Sequence, residues 1–428
     1  MKPKYLEIKE NELYLHNYAL SKLAKEYGTP LYVYDEVDLK DKMNEYKTYF
    51  RSDKFNTRIV YASKAFLVPK MANLVNEAGL SMDAVSLGDL YVALSCGFPL
   101  DKIVFHGNNK SDEELTYAID HKVGLIVVDN LDELKRLIKL ATKKETIVNT
   151  LFRVNPGINV HTHKYTKTAL YVSKFGESIY DDDMIDTIIK TYLNNSFVKL
   201  LGFHSHIGSQ IKESNPFVLN IQKMVRFSKQ IEEKYKINLP FLNLGGGFGI
   251  KYYERDKEVD LKKILTKMVK TIEKECAEVS YLPKTIMIEP GRSIVGTPGI
   301  TLYECGMVKH TFGGKNYLFI NGGMTDNIRP ALYQAKYEVE IANKIAFPKD
   351  LIVDVAGKCC ESGDIIAHDV AIAHPDNGDT LVVYATGAYT YSMASNYNNI
   401  LKPAVIFVGD KVEIVSHREE LNDLNKLF

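Results

Sequence analysis

Short apolar runs rich in Val and Ile recur along the first 290 residues, and each run ends in polar residues or glycine. Stretches such as "SDEELTYAIDH" and "PFVLNIQKMVRFSKQIEEKY" lie between them, with apolar residues at helical spacing and with Ser or Pro at their start. Eight strands alternating with helices predict an α/β fold, a (β/α)8 barrel of the TIM type over residues 30–292. The eight runs are "RIVYASKA" (58–65), "LSMDAVS" (80–86), "KIVFHGN" (102–108), "GLIVVDN" (124–130), "NTLFRVNPG" (149–157), "LLGFHSHIGS" (200–209), "FLNLGGGFG" (241–249) and "KTIMIEPGR" (284–292).

The pattern changes after about residue 295. Runs such as "DLIVDVAGK", "DTLVVYATGAY" and "AVIFVGDKVEIVS" are β-rich, are separated by Gly, Asp and Asn turns, and have no long helix between them. Near the start of the chain, "NELYLHN" also has the pattern of a strand. We therefore expect a second, all-β domain that is formed by the N-terminal strand and the C-terminal segment, residues 1–29 and 293–428.

Composition narrows the classes of protein that fit this fold. The chain has 428 residues, enough for two domains, and its 54 basic and 54 acidic residues balance, so the net charge favours neither nucleic acid nor a membrane surface. The first residues lack the apolar core of a signal peptide, and no apolar run is long enough to cross a bilayer. Five cysteines without a CxxC pair are typical of a reducing compartment. We expect a cytoplasmic protein.

Polar residues stand at the ends of the predicted barrel strands. These ends form the active face of such barrels, and a purely structural barrel would not need so many polar groups there. Lys64 illustrates the two possible interpretations of such a residue. Either its side chain simply reaches solvent after a buried strand, or it presents its amine for chemistry. The residues at the strand ends are Lys64, Asp83, His106, Asp129, Arg153, His206, glycines 245–247, Glu289 and Arg292.

The glycine cluster "GGGFG" follows the seventh strand, where barrels of this type commonly bind phosphate. Glycines let backbone N–H groups approach an anion closely, although a tight turn would explain the same cluster. No Gly-Lys-Ser/Thr follows, which excludes a P-loop. Gly291 and Arg292, at the end of the eighth strand, would add donors to the same anion.

The sequence "HSHIGS" allows a metal site as an alternative. His204 and His206 alternate along a strand and would share one face, which suits metal ligands as well as a surface for stacking a ring. His161 and His163, in "HTHKY", supply a second pair. A metal-dependent barrel hydrolase would place its histidine pair on an early strand and a lone aspartate on the last, so we predict no metal.

Together these residues meet the needs of pyridoxal phosphate, which requires a lysine, an anion site, a flat ring surface and a partner for its pyridine nitrogen. Lys64, the "GGGFG" loop with Arg292, His206 and Glu289 meet them in turn. A carboxylate at the pyridine nitrogen keeps it protonated, and this favours the carbanion that loss of CO2 requires.

The motifs "YASKA", "HSHIGSQI", "LGGGFGI", "EPGRSIVG", "NIRPALY", "CESGD" and "GAY" occur in this order along nearly the whole chain. In this it resembles the barrel-type pyridoxal-phosphate decarboxylases of the alanine-racemase-like fold, most closely those that act on diaminopimelate. The resemblance implies decarboxylation of meso-2,6-diaminopimelate to L-lysine and CO2, the last step of lysine biosynthesis. It also implies a homodimer with shared active sites.

The same resemblance implies a role for each motif residue. Lys64 would be the Schiff-base lysine, His206 would stack on the ring, Glu289 would pair with the pyridine nitrogen, and Cys360 would protonate the product carbanion. The other cofactor-binding residues would be Ser209, Gly246, Gly247, Gly291, Arg292 and Tyr389. Substrate-binding residues would be Arg292, Arg329, Tyr333, Glu361 and Tyr389.

The chemistry of the substrate fits these assignments. Diaminopimelate has a second amino-acid centre remote from the reacting bond, and an arginine suits its carboxylate while a glutamate suits its ammonium group. A decarboxylase of ornithine or lysine would have no use for Arg329, which otherwise reads as a surface loop residue. The sequence departs from the family at Lys358 and Cys359, so either thiol of the Cys-Cys pair remains a candidate donor, and Lys358 would lower a nearby thiol pKa.

Alternatives to this function are a related barrel decarboxylase of another basic or carboxylated amino acid, the metal-dependent hydrolase, and a catalytically silent cofactor-binding protein. Cys360 and Tyr389 argue against the last, because a silent relative has no carbanion to protonate.

Overall fold

The computed structural model describes residues 1–158 and 173–426, and the chain divides into two compact units. One unit comprises residues 1–42, 250–258 and 292–428, and we call it the β-rich unit. The other comprises residues 43–249 and 259–291, and we call it the barrel unit. In the described part of the chain, no helix has the length and apolar character needed to span a bilayer.

The barrel unit contains eight parallel strands, which we number β1 to β8 in chain order. Each strand pairs with its neighbour in this order, and β8 pairs with β1 to close the barrel. Side chains inside the barrel are apolar and buried, among them Val60, Val104, Leu151 and Met287. The strands are β1 (Asn56–Tyr61), β2 (Ser81–Ala84), β3 (Ile103–Phe105), β4 (Leu125–Val128), β5 (Val148–Asn155), β6 (Val198–His204), β7 (Phe241–Asn243) and β8 (Thr285–Ile288).

Helices alternate with these strands, as the periodicity predicts. Ser111 shows why one of them starts where it does, because its hydroxyl accepts from the Glu114 N–H while Glu114 accepts from the Ser111 N–H. A two-residue strand, Glu177–Ser178, pairs with β5, and the helix Glu36–Tyr49 contains a boundary between the units. The helices within the barrel unit are Pro69–Glu77, Leu87–Ser95, Asp112–Asp120, Leu131–Lys143, Asp182–Leu193, Ser214–Tyr235 and Leu261–Val279.

The β-rich unit contains a nine-stranded sheet and a separate three-stranded sheet. The strand Gly299–His310 lies at the centre of the larger sheet and pairs with Leu31–Asp35, Asn316–Ile320 and Thr380–Val383. The other strands of that sheet are Val339–Ile341, Leu351–Ala356, Ile365–Ile372, Ala404–Val408 and Val412–Ser416. The small sheet consists of Leu6–Lys9, Glu12–Leu15 and Tyr18–Ala19, and the helices are Leu20–Tyr27, Arg292–Val295 and Arg329–Tyr333.

The predicted fold class is confirmed, since a closed eight-stranded parallel barrel is joined by a β-rich unit that contains both ends of the described chain. The structure divides the chain differently from the expected residues 30–292 at two places. Residues 30–42 and 250–258 belong to the β-rich unit, and the strand Leu31–Asp35 pairs there with Gly299–His310 and Ala404–Val408. The predicted strand in "NELYLHN" forms, but it pairs within the small sheet.

Candidate active site

Lys64 lies in a single turn of 3-10 helix, Ser63–Ala65, directly after β1. Its side chain is exposed, whereas Ser63 and Ala65 on either side are buried. The Ser63 N–H donates to Asp83 Oδ1 at 2.6 Å, which ties this turn to the end of β2. Burial raises the pKa of Asp83 to about 6, although the positive charge of Lys64 opposes the rise. The lysine amine is therefore presented at the C-terminal end of the barrel by a turn that is itself held in place.

Glu289 follows β8 and is 8% exposed. Its carboxylate meets His106 Nε2 at 2.8 Å, His204 Nε2 at 3.1 Å and Asn243 Nδ2 at 2.7 Å. Burial alone would raise the Glu289 pKa, but His106 and His204 hold that pKa well below its ordinary value. Three strands thus contribute donors that keep one buried carboxylate ionised.

The two histidine rings beside Glu289 pack edge to face, with their centroids 4.7 Å apart. Burial lowers the pKa of His204 to about 4, so this ring is neutral at physiological pH. A neutral His204 that donates from Nε2 has Nδ1 as its acceptor, and that atom has no hydrogen-bond partner among the described residues.

His106, His204 and Glu289 also place one potential ligand atom each within 4.8 Å of one another. This grouping keeps the metal alternative open with a different set of ligands, because His206 is not part of it. His161 and His163, the second pair considered for a metal, lie outside the described residues.

The glycine loop after β7 is crowded by other backbone segments. A Cβ on Gly246 would lie 1.9 Å from the Glu289 carbonyl oxygen, and a Cβ on Gly247 would lie 2.1 Å from the Gly208 carbonyl oxygen. Gly247 also has a φ of +100°, which side-chain-bearing residues rarely adopt. The loops after β6, β7 and β8 are therefore packed backbone to backbone, which only glycine permits.

His206 follows β6, next to this loop, and its Nδ1 accepts from the Gly246 N–H at 3.3 Å. Burial and then the charge of Lys64 lower the pKa of His206 well below its ordinary value. The ring is thus neutral and held at one nitrogen, which suits a stacking surface. Ser209 and Gly291 lie on the neighbouring loops, where a Cβ on Gly291 would be 2.7 Å from the Ala62 side chain.

This arrangement fits a phosphorylated pyridine cofactor. A carboxylate accepts about four hydrogen bonds, and the three donors at Glu289 leave one position for a ring N–H. A glycine-rich loop after the seventh strand is a common place for backbone N–H groups to bind phosphate, and the exposed amine of Lys64 is available to a carbonyl group.

In the β-rich unit, two buried arginines are surrounded by tyrosines. Arg292 donates from Nη1 to the Tyr252 hydroxyl, and Arg329 donates from Nε to the Tyr337 hydroxyl at 2.8 Å. The guanidinium carbon of Arg292 lies 4.7 Å from the centre of the Tyr389 ring, and that of Arg329 lies 5.8 Å from it. No carboxylate in the described part of the chain forms an ion pair with Arg329.

Tyr389 has a φ of +60°, an uncommon conformation for a bulky residue. Gly387 precedes it at a point where a Cβ would lie 1.8 Å from the Val295 carbonyl oxygen. The "GAY" turn is thus forced by its surroundings, and such strain is frequent at functional sites. Tyr333 ends the short helix that starts at Arg329, with the Arg329 guanidinium carbon 5.2 Å from its ring centre.

The two neighbouring cysteines differ in their environments. Cys359 is buried, and burial, then the charge of Asp364, raises the pKa of its thiol to about 11. Cys360 and Glu361 are exposed on the same turn. The suggested lowering of a thiol pKa by Lys358 is therefore wrong for Cys359.

The predicted residues fall into two groups. The barrel unit brings together Lys64, His206, Ser209, Gly246, Gly247, Glu289 and Gly291, and the β-rich unit contains Arg292, Arg329, Tyr333, Cys360, Glu361 and Tyr389. Sequence reasoning missed Asn243, although a polar residue at the end of an apolar strand was a usable signal. It gave no role to Tyr252 or Tyr337, for which the sequence offers no signal.

Comparisons with known proteins agree with this chemistry. Residues 36–296 match the family model of the pyridoxal-dependent decarboxylases, pyridoxal binding domain. A diaminopimelate decarboxylase from Bacillus subtilis is 43% identical over 406 residues, which cover 95% of this chain and 92% of the relative, and one from Bacillus methanolicus is 44% identical over 398 residues, 92% of each. The crystal structure of diaminopimelate decarboxylase from M. jannaschii in complex with L-lysine is 31% identical, with a TM-score of 0.92 over 100% of this chain and 98% of that one. The chain belongs to the diaminopimelate decarboxylase family.

Proposed function

We propose that this protein removes one carboxylate from meso-2,6-diaminopimelate with pyridoxal phosphate as cofactor, and so forms L-lysine and CO2 in the last step of lysine biosynthesis. Arg329 is the observation that supports diaminopimelate as the substrate. Arg329 is 7% exposed, and none of the described carboxylates forms an ion pair with its guanidinium. A buried cation of this kind requires an anion, and the remote carboxylate of diaminopimelate supplies one.

Bound pyridoxal phosphate supplies an electron-poor ring that accepts the electron pair released when the bond to the carboxylate breaks. Lys64 would hold the cofactor through its amine, and the neutral His206 ring would lie against it. Glu289 is kept ionised by its three hydrogen-bond donors. It would accept a hydrogen bond from the ring nitrogen and keep that nitrogen protonated. The crowded glycine loop and Ser209 would bind the phosphate.

The arginine cluster would bind the part of the substrate that does not react. Arg329 matches the remote carboxylate, since a guanidinium binds a carboxylate through two parallel hydrogen bonds. Arg292, Tyr333 and Tyr389 would hold the same end of the substrate, and the carboxylate of Glu361 would bind its ammonium group. An ornithine or lysine decarboxylase would have no partner for Arg329, so this residue separates the related amino-acid decarboxylases from the function proposed here.

Cys360 would return the proton. Its thiol S–H bond breaks as a C–H bond forms at the carbon that lost the carboxylate, and the thiolate then regains a proton from water. Exposure of Cys360 favours it over the buried Cys359, whose thiol pKa of about 11 makes it a weak proton donor.

Release of CO2 from a panel of amino acids tests the proposal directly. We expect turnover of meso-diaminopimelate and little from ornithine, lysine or arginine, together with a yellow protein that contains no stoichiometric metal. A colourless protein with bound zinc would favour the hydrolase, for which the cluster of His106, His204 and Glu289 is the specific support. Turnover of ornithine in preference to diaminopimelate would overturn the substrate assignment.

A homodimer with shared active sites and a cytoplasmic location are also part of this proposal. Five free cysteines support a reducing compartment. If Cys360 serves the partner's barrel, Lys64→Ala and Cys360→Ala proteins are each nearly inactive, but mixing them under conditions of subunit exchange restores about a quarter of wild-type activity. Half of the dimers are then mixed, and each has one intact site. No recovery after verified exchange would assign Cys360 to its own barrel.

A further inference from the structure

The turn that presents Cys360 and Glu361 is organised around one buried carboxylate. Asp364 is 2% exposed, its Oδ1 accepts from the Met324 N–H at 2.6 Å, and its Oδ2 accepts from the Cys359 N–H at 2.8 Å. Its backbone carbonyl accepts from the Gly357 N–H at 2.9 Å, and its own N–H donates to the Glu361 carbonyl at 3.1 Å. Side chain and backbone of one residue thus close the turn 357–364 at both ends.

We infer that Asp364, together with the buried thiol of Cys359, is a positioning residue that fixes the turn carrying Cys360 and Glu361 for the reaction. The inference rests on the proposed function, because it takes those two residues to act on the substrate. It assigns the Cys-Cys pair two different tasks, with Cys359 inside the turn and Cys360 outside it.

Backbone packing around Asp364 supports a fixed geometry. A Cβ on Gly323 would lie 2.4 Å from a carboxylate oxygen of Asp364, and a Cβ on Gly357 would lie 2.2 Å from one. The Lys358 N–H donates to the Gly322 carbonyl at 2.9 Å, which joins the turn to the segment that also supplies Met324. Two glycine-containing segments therefore enclose the carboxylate without room for side chains.

No cation compensates this carboxylate, since no lysine, arginine or histidine of the described chain forms an ion pair with Asp364. A buried carboxylate without a counter-ion depends on its hydrogen bonds, which here come from the Met324 and Cys359 backbone N–H groups. Those donors belong to the segments whose relative position sets the turn. Such an arrangement stabilises one conformation of the turn at the cost of desolvating a charge.

Cys359 completes the arrangement from inside. The residue is buried, its N–H donates to Asp364 Oδ2 at 2.8 Å, and its thiol remains protonated because burial, then the charge of Asp364, raises the thiol pKa to about 11. The next residue, Cys360, turns outward, and its N–H donates to Asn398 Oδ1 at 2.8 Å. Adjacent thiols thus point to opposite sides of the turn, which is the geometry expected if only the outer one exchanges protons.

Asp364→Asn tests the inference, because the amide has one oxygen to accept where the carboxylate has two. Asp379→Asn is the control, since Asp379 is a buried carboxylate of the same unit that accepts from the Asp376 N–H at 2.7 Å in a different turn, although it also pairs with Lys344 at 2.7 Å. We expect kcat to fall about 100-fold for Asp364→Asn and less than about threefold for Asp379→Asn. A fall caused only by misfolded protein is separated from this by two further measurements.

The first measurement is the stereochemistry of the product made in D2O. Misfolded molecules lower the rate but leave the configuration of the new C–D bond intact, whereas a displaced Cys360 lets solvent deliver the deuteron from either side. Asp364→Asn is expected to lose stereochemical purity as Cys360→Ala does. The second is alkylation of Cys359, mapped by mass spectrometry, which should become about tenfold faster in Asp364→Asn and stay unchanged in the control.

If Asp364→Asn does not fold, Cys359→Ala carries the test, with an expected fall in kcat of about tenfold and a partial loss of stereochemical purity. Full stereochemical purity in the folded variants, or Cys359→Ala as inactive as Cys360→Ala, would overturn the inference. A wild-type protein that releases no CO2 from diaminopimelate would instead refute the proposed function and the role in the reaction, while the rate of Cys359 alkylation would still report whether Asp364 fixes the turn.

Discussion

The barrel unit and the β-rich unit each bury a charged side chain, but they compensate it in different ways. Glu289 in the barrel has both oxygens bonded to donors from His106, His204 and Asn243. Arg329 in the β-rich unit is buried to a similar extent, yet it has aromatic rings around it and one phenolic oxygen at its Nε. The negative charge of Glu289 is compensated by donors within the protein, whereas none of the described carboxylates compensates the positive charge of Arg329.

This difference separates two functions of buried charge. A compensated carboxylate has a fixed ionisation state, so it can set the protonation of a cofactor that binds to it. An uncompensated guanidinium gains most from a ligand that brings the missing negative charge, so it selects the ligand. The following predictions test whether cofactor chemistry resides in the barrel unit and substrate choice in the β-rich unit.

The largest effect is expected for Lys64→Ala in the barrel. The variant should lose at least about 10³-fold in activity, and borohydride should no longer fix cofactor to the protein, because no amine remains at the end of β1. Lys70→Ala, on the helix that follows, is the control and should behave like wild type. Reducible cofactor in Lys64→Ala would mean that another lysine holds it.

Arg329→Ala tests the opposite side of the comparison. Loss of a charged, bidentate partner should cost about 2 to 4 kcal/mol in kcat/KM for diaminopimelate. Substrates that lack the remote carboxylate should be affected far less, and cofactor absorbance should not change. An equal loss for both kinds of substrate would show that Arg329 supports the fold instead of selecting the ligand.

The raised pKa of Asp83 predicts that the stability of the barrel unit depends on pH. Its pKa is raised from 3.8 to about 6, so the folded protein binds this proton more tightly than the unfolded chain does. Ionisation therefore lowers the free energy of unfolding as the pH rises from about 4 to about 6, by up to about 3 kcal/mol. Relative to wild type, Asp83→Asn should become more stable by that amount across the same interval.

Denaturant unfolding at pH 4 and pH 7 measures this difference. Asp181→Asn is the control, because Asp181 is exposed and also accepts from a backbone N–H, that of Met184 at 3.0 Å. A stability difference between Asp83→Asn and wild type that does not change with pH would contradict the raised pKa.

The smallest effect is expected for His106→Ala, which removes one of the three donors to Glu289. The loss of one hydrogen bond to a charged group should weaken cofactor binding about tenfold, as measured by titration of the cofactor-free protein. His121→Ala, on a ring that stacks on Tyr117 with centroids 4.0 Å apart, should leave the affinity unchanged. Unaltered affinity in His106→Ala would mean that the other two donors are sufficient.

Barrel chemistry could be predicted from the sequence because strand ends can be located from the pattern of apolar residues. Lys64, His206 and Glu289 follow β1, β6 and β8, where the pattern places them. The arginine cluster could not be predicted in the same way. Tyr252 contacts Arg292 from 40 residues earlier in the chain and Tyr337 contacts Arg329 from eight residues later, and a tyrosine in the sequence does not reveal which arginine its ring will face.

The sheet to which a strand belongs could also not be predicted from the sequence. The strand Leu31–Asp35 is easily predicted as a strand, but its apolar pattern fits a barrel and a sheet equally well. Only the pairing of Leu31 with Leu302 and with Ala404 assigns it to the β-rich unit. Periodicity reports how a segment is buried, whereas its partners depend on contacts over hundreds of residues.

The strand Leu31–Asp35 can pair with its neighbours only late in translation. Domains form as units when their residues have left the ribosome, and residues 43–249 and 259–291 suffice for the barrel. The strand Leu31–Asp35 is made before the barrel, yet both of its neighbours, Gly299–His310 and Ala404–Val408, are made after it. Its two edges stay open while most of the chain is translated, and a nascent chain that stops short of residue 404 exposes one of them to other chains.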